Sequence, residues 1–278
     1  MTDRSPISEE HIAANRVLWN AWTKVHERSE FYDLEGFKRG GVRLREYEIE
    51  EIGPVVGKTL LHLQCHFGID SLSWARLGAQ VTGVDFSSEA VALARSLAAE
   101  LGLDARFVES DLYDLRNRLE GEFDVVYTSR GVLGWLPDIR RWAEVAAQFV
   151  RPGGIFYVTE VHPVWEAFEY DGVEPGKMWL RYPYWESGEP FAMKVVGSYA
   201  DRSADVGDLT EYGWNHSLGE IVTSLIDAGL RIEFLHEFPF LEWPADALVE
   251  GEDGRFRLPG ELDGKLPLLY SLKASKPT

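Results

Sequence analysis

The sequence predicts an α/β protein built on a doubly wound, mostly parallel sheet of seven strands, with a helical segment before the sheet and an aromatic-rich insertion after its fifth strand. Three observations predict it. Between residues 57 and 163, short apolar runs alternate with helix-length amphipathic stretches, the pattern of parallel strands joined by covering helices. That rhythm stops after Pro163 and returns near residue 216. The chain has 278 residues, 45% of them hydrophobic and 27% charged, which leaves room for one such core and an insertion.

Residues 1–56 read as an N-terminal helical segment or lid, with Trp19, Trp22, Phe31 and Tyr32 available to pack on the sheet or over its mouth. Thr59–Leu63 is a compact apolar strand. The helix that follows carries Ile69, Leu72, Ala75 and Arg76 and stops at Gly78, a residue suited to a helix C-terminus. Residues 80–84 form the second strand. Ser87 or Ser88 caps the next helix, with Glu89 in its first turn and Ala90, Val91, Ala94, Leu97, Ala98 and Leu101 on one face. Residues 105–108 and Phe123–Thr128 are the third and fourth strands. Pro137 opens a helix with Ile139, Trp142, Val145, Ala146 and Phe149 at helical spacing, which Pro152, Gly153 and Gly154 end before a fifth strand at 155–161. The core thus spans 57–163.

The insertion, 164–215, holds Trp165, Phe168, Tyr170, Trp179, Tyr182, Tyr184, Trp185, Phe191, Tyr199, Tyr212 and Trp214. Aromatic rings drive burial, so this stretch builds a pocket wall or lid and is not a linker. The last part of the α/β core, 216–278, supplies a helix at 218–228 and strands at 231–237 and 266–273.

Charge narrows the partners. With 46 acidic and 28 basic residues the formal net charge is -18, so the averaged field repels nucleic-acid phosphates and anionic lipid. The adjacent Arg140 and Arg141 read as a solvated helix face. The single cysteine, Cys65, permits no intramolecular disulfide and reads as a small buried hydrophobe. An acidic, polar start without an apolar stretch gives no signal peptide, and no run reaches membrane-spanning length, so the cytoplasm is expected, with monomer and homodimer both open. The histidines and acids show no metal-ligand spacing, so no metal is expected.

In open parallel sheets, ligands bind beyond the carboxyl ends of the strands, where the strand order reverses. Asp85 ends the second strand, where a carboxylate accepts both hydroxyls of a ribose. Glu109, Ser110 and Asp111 follow the third strand at the same rim; Glu109 and the nearby Asp114 read as solvent-facing carboxylates. The loop after the first strand lacks the glycine spacing that a dinucleotide pyrophosphate requires, since Gln64, His66 and Phe67 occupy it and only Gly68 remains. An NAD-dependent oxidoreductase is thereby the weaker alternative.

LLHLQCHFGIDSLSWARLGAQVTGVDFSSEAVALAR, ESDLYDL and FDVVYTSRGVLGWLPDIRRWAEVAAQFVRPGGIFYVTE together resemble, in order, the motifs of class I Rossmann-like methyltransferases. The resemblance covers residues 57–160. It implies S-adenosyl-L-methionine as cofactor, S-adenosyl-L-homocysteine as product, and methyl transfer to oxygen, nitrogen or carbon of a small, partly aromatic or apolar metabolite. A non-catalytic adenosylmethionine-binding protein is the other alternative. By position, Gly68 and its neighbours border the methionyl end, Asp85, flanked by Phe86 and Ser87, holds the ribose, and Asp111 with Leu112 holds the adenine. Ser129 and Arg130 then face the cofactor. The loop departs from the family pattern in having Gln64 and His66 at two glycine places and His62 at the usual acidic place, which predicts that Gln64 and His66 contact the amino-acid end by side chain.

Methyl transfer is an in-line displacement that gains from positioning and from the exclusion of water. Trp19, Trp22, Tyr32, Trp165 and Trp214 are the expected pocket rings, whose faces also stabilise a sulfonium. His162, after the fifth strand, and His216, at the end of the insertion, are the candidate general bases, with Glu160 a third.

Overall fold

The protein is described by a computed structural model covering residues 9–278; the first eight residues of the expected N-terminal segment, which begin the stretch read for a signal peptide, lie outside the described residues. Seven strands form the main sheet: β1 (Thr59–Leu63), β2 (Gln80–Asp85), β3 (Ala105–Glu109), β4 (Phe123–Thr128), β5 (Val150–Val161), β6 (Arg231–Phe238) and β7 (Leu269–Ser275). Their order is β6-β7-β5-β4-β1-β2-β3. All neighbouring pairs from β5 to β3 are parallel, while β7 runs antiparallel to both β5 and β6. The chain order reverses between β1 and β4, and the carboxyl ends of those strands therefore open the crevice.

Eight α-helices accompany the sheet among the described residues: α1 (Glu9–His26), α2 (Leu34–Lys38), α3 (Glu46–Ile52), α4 (Ile69–Arg76), α5 (Ser88–Leu101), α6 (Ile139–Phe149), α7 (Pro163–Glu166) and α8 (Leu218–Asp227). One apolar cluster joins Trp142 and Phe149 of α6 and Leu225 of α8 to Val126, Phe156 and Tyr270 of the sheet. A second joins Ile69, Leu72, Leu97 and Phe107. Because apolar strands are covered on both faces, β1 and β4 read as continuous hydrophobic runs in the sequence.

Local chemistry sets the helix starts. Ser87 Oγ accepts the Ala90 N–H at 3.1 Å and so is the cap of α5, which resolves the choice between Ser87 and Ser88. Asp138 accepts the Arg141 N–H at 2.9 Å, so α6 begins after Asp138 and not at Pro137. β5 starts at Val150, earlier than the sequence suggests, because Val150 pairs with Phe123 while Ile155 pairs with Val125; the intervening residues loop out around Gly153, whose φ is 73°. The final strand begins three residues later than expected, after Pro267, which has no N–H to give.

Within the insertion, Phe191–Lys194 and Thr210–Gly213 form an antiparallel ribbon with Phe191 opposite Gly213 and Met193 opposite Glu211. Alternation puts those four on one face. Tyr212 lies on the other, stacked on His11 at 4.3 Å, and Asn15 of α1 bonds both backbone groups of Tyr212 at 2.8 and 3.0 Å. The insertion is thus tied to the N-terminal helix.

A second excursion, residues 239–268 between β6 and β7, was not distinguished in the sequence. Phe240, Leu241, Leu248, Leu258 and Leu268 gather there around Trp165. Trp165 is 0% exposed and stacks on Tyr170 at 4.7 Å, outside the cavity lining. It is a core residue of this subdomain and not, as expected, a pocket ring.

Candidate active site

A cavity of about 1060 Å³ opens at the carboxyl ends of β1, β2, β4 and β5, roofed by α1 and the insertion. Ligand pockets commonly measure about 300–1,000 Å³, so the space admits a cofactor and a second small molecule together. The loop after β1 forms its floor. Gln64 (φ 56°), His66 (φ 51°) and Gly68 (φ 77°) all take left-handed backbone conformations, so the chain makes a glycine-type turn with only one glycine. Gly68 has no substitute: a Cβ there would lie 2.6 Å from the Phe107 ring. Gln64 and His66 accept a backbone cost of roughly 1–2 kcal/mol each.

That turn places the His66 N–H 2.7 Å from Asp85 Oδ2, while Asp85 Oδ1 accepts the Ser87 N–H at 2.9 Å. Asp85 is 7% exposed, and burial pushes its carboxyl up to about 6 against the pull of these N–H groups. Each oxygen keeps a lone pair for a further donor. Phe86 lines the cavity beside it, with Asp111 and Leu112, and the Asp111 carboxylate accepts the Tyr113 N–H at 2.7 Å. Ser87 does not line the cavity: its hydroxyl bonds Asn20 at 2.7 Å and caps α5, so its part in the site is to brace Asp85 from behind.

The loop after β4 is held by Glu160. Oε1 accepts the N–H groups of Gly131 and Val161, and Oε2 those of Val132 at 2.7 Å and Leu133 at 3.0 Å. With both oxygens engaged, Glu160 is a brace and not a base. His62, at the place of the usual acidic residue, bridges Ser71 at 2.8 Å and Ser129 at 2.9 Å; burial brings its ring down to about 4, so it is neutral. Ser129 therefore faces the cavity with its hydroxyl held. Arg130 also lines it, and Glu48, 0% exposed, binds its guanidinium at 2.6 Å with Asp70 at 3.5 Å. Those carboxylates hold Arg130 firmly charged.

The two candidate histidines separate. His162 caps α7 by accepting the Val164 N–H on Nδ1 at 3.1 Å, and its Nε2 sits 3.0 Å from Glu237; it does not line the cavity. Its geometry is that of a helix cap and gives no support to the expected catalytic role. His216 lines the cavity and is 5% exposed. A carbonyl only accepts, so the 2.7 Å contact from Nε2 to Leu136 O puts a proton on Nε2, while Nδ1 makes no hydrogen bond and lies 3.8 Å from the Glu220 carboxylate.

Trp19, Trp22, Tyr32 and Trp214 all line the cavity. Trp19 meets His66 and Trp135 edge-on, each at 5.1 Å, and Trp22 donates from Nε1 to Gly197 O at 2.9 Å. Sequence reasoning missed the chain that ties this roof to the floor: His66 Nε2 to His26 Nδ1 at 2.8 Å, and His26 Nε2 to Ser198 Oγ at 2.6 Å. Burial holds His26 down to about 3, so both rings are neutral and share one proton between them. It also missed Glu48, Glu166 and Glu211. Glu166 and Glu211 line the insertion side of the cavity, where burial pushes their carboxyls up to about 8 and about 7. Glu166 lay four residues beyond His162 in HPVWE, at the same sheet rim, and was the one of the three with a readable position.

Among the described residues no cluster suits a metal ion and no helix is long and apolar enough to cross a membrane. Residues 60–154 match the family model described as methyltransferase domain. A ubiquinone biosynthesis O-methyltransferase of Cronobacter sakazakii is 36% identical over 136 residues, 47% of this chain and 56% of that protein. The chain thus spans little more than half the length of the curated relatives it matches. An S-adenosylmethionine-dependent methyltransferase structure from Mesorhizobium loti superposes with a TM-score of 0.57 at 24% identity, covering 85% of this chain and 99% of that one. A glycopeptide N-methyltransferase complexed with S-adenosylmethionine gives 0.53 at 18% identity, covering 83% and 92%. The fold is that of the class I Rossmann-like methyltransferases.

Proposed function

We propose, from the class I methyltransferase fold and the methyltransferase domain it carries, that this chain transfers a methyl group from S-adenosylmethionine to a small molecule. The observation that supports this most is the buried Asp85 carboxylate at the end of β2, facing a turn of three left-handed residues across the floor of the cavity. The residues fit the cofactor. Asp85 has lone pairs for the ribose hydroxyls, and Asp111 and Leu112 border the place for the adenine. Gln64 Oε1 is buried without a hydrogen-bond partner, an acceptor suited to the ammonium of the methionyl end. When bound, adenosylmethionine supplies a methyl carbon that bonds to the acceptor's lone pair as its C–S bond breaks toward sulfur, leaving adenosylhomocysteine.

The protein's share is positioning and exclusion of water. α1 and the ribbon roof the cavity, Glu160 holds the loop after β4, and the Trp19, Trp135 and Tyr199 rings line the space, where aromatic faces favour a cationic centre. The acceptor is an oxygen, nitrogen or carbon of a partly apolar metabolite, since Ile12, Phe191, Met193 and Trp214 line the rest. The charge of -18 favours such an acceptor over nucleic acid or membrane lipid, and the lone cysteine, which can form no intramolecular disulfide, supports a cytoplasmic setting. The test is calorimetric titration with adenosylmethionine, adenosylhomocysteine and NAD on the native chain and on Asp85→Asn. Saturable binding of the sulfur compounds, weakened in the variant, is expected; binding of NAD alone, or of none, refutes the reading.

A further inference from the structure

The insertion side of the cavity has a chemistry of its own. Glu211 shares a ribbon face with Phe191 and Met193, and all three line the cavity. Glu166, at the end of α7, lines it from the other side, as does Tyr170. Both side chains are half-buried, and a carboxylate drawn from water into such a wall is disfavoured unless a cation compensates. Here the nearby cations are committed elsewhere. Arg202 pairs with Asp171 at 2.8 Å and Asp246 at 2.9 Å, and Lys194 with Asp208 at 2.6 Å. Among the described residues no lysine or arginine forms an ion pair with Glu166 or Glu211. His216, 5% exposed, lines the same cavity, with its Nδ1 3.8 Å from the Glu220 carboxylate.

Two carboxyl groups without a cationic partner are set among aromatic and apolar walls, and a positively charged ligand would draw off their protons and leave acceptors for its N–H groups. Such a set is matched by a ligand that donates hydrogen bonds and carries positive charge. We infer that the methyl acceptor is a primary or secondary amine on an apolar or aromatic body, bound as its ammonium by Glu166 and Glu211. This rests on the methyltransferase reading and adds the acceptor class to it. An ammonium has no lone pair, so it must first lose a proton: its N–H bond breaks, an O–H bond forms on one of the two carboxylates, and the freed lone pair attacks the methyl. Carboxyls raised toward neutrality by burial suit that exchange. The methylated product is again an ammonium, and the carboxylic proton passes to solvent.

The test is titration of the protein, saturated with adenosylhomocysteine, by 2-phenylethylamine and by 2-phenylethanol at neutral pH, with Glu166→Gln and Glu211→Gln alongside. The amine is expected to bind roughly tenfold or more tightly than the alcohol, the effect of one charge-assisted hydrogen bond. Each variant removes that preference while affinities for the alcohol and for adenosylhomocysteine stay unchanged. Equal binding of amine and alcohol, no binding of the amine, or an amine affinity indifferent to both substitutions overturns the inference. Failure of adenosylhomocysteine to bind the native protein is a separate result, which removes the methyltransferase reading and this one with it.

Discussion

Glu160→Gln tests how the cavity's inner loop is held. The native carboxylate accepts four backbone N–H groups, two on each oxygen. Glutamine preserves size but has one oxygen, so whichever way the amide turns, its NH₂ meets two N–H donors. Two charge-assisted bonds of about 1.5–3 kcal/mol each are lost. A destabilisation of about 3 kcal/mol is the lower end of this range, equivalent to roughly 6–12 °C in Tm for a chain of this size. Thermal denaturation followed by circular dichroism measures it. The same loop lines the cavity, so adenosylhomocysteine affinity falls as well. A Tm within about 2 °C of the native value would mean that the loop does not depend on Glu160, and the brace argument would fail.

Two further perturbations probe the buried network. Glu211 and Glu166, raised to about 7 and about 8, keep protons in the folded chain that the unfolded chain gives up around 4.5. Their stabilising contribution is therefore complete below about pH 4.5 and is lost as pH rises through 7 to 8. Tm measured from pH 5 to 8 is expected to decline less in the Glu166→Gln, Glu211→Gln double variant than in the native chain; parallel curves would contradict it. His26→Phe leaves His66 Nε2 without a partner under the roof, at about 1–3 kcal/mol, while Ser198 Oγ keeps the Ala200 N–H at 3.2 Å. Urea denaturation should show a lower midpoint with an unchanged slope, and an unchanged midpoint would show that the roof closes without this chain.

What the sequence disclosed follows from range. β1 and β4 were readable because Leu60, Leu61, Val125 and Val126 are buried on both faces, which makes a strand an unbroken apolar run. Asp85 was readable because a strand end fixes a position in space without knowledge of anything distant. Contacts across the chain left no such mark. His26 and His66 are 40 residues apart, and Glu48 and Arg130 are 82 apart. Glu211 faces the cavity because of its register with Met193, which depends on how the hairpin closes. Trp165 shows the same limit from the other side: an aromatic ring announces burial, but only the second excursion decided that it is buried in a core and not in the pocket.

The floor loop joins strain to function, and Gln64→Gly separates them. At φ 56° a glutamine carries a backbone cost of roughly 1–2 kcal/mol that glycine does not. Glycine in turn loses more chain entropy on folding, roughly 0.5–1 kcal/mol, and the substitution removes the bond from Gln64 Nε2 to Val132 O at 3.0 Å, about 0.5–1.5 kcal/mol. These terms oppose one another and nearly cancel, so Tm should stay within about 2 °C of native. No such cancellation operates in binding. If Gln64 Oε1 accepts from the cofactor's ammonium, its removal costs a charge-assisted bond, about 1.5–3 kcal/mol, and adenosylhomocysteine binds roughly tenfold or more weakly. Calorimetry on the variant decides the matter. A weaker cofactor with unchanged Tm means that the strained glutamine is kept for the ligand; unchanged affinity with lowered Tm means that it is kept for the loop, and the assignment of Gln64 to the cofactor is wrong.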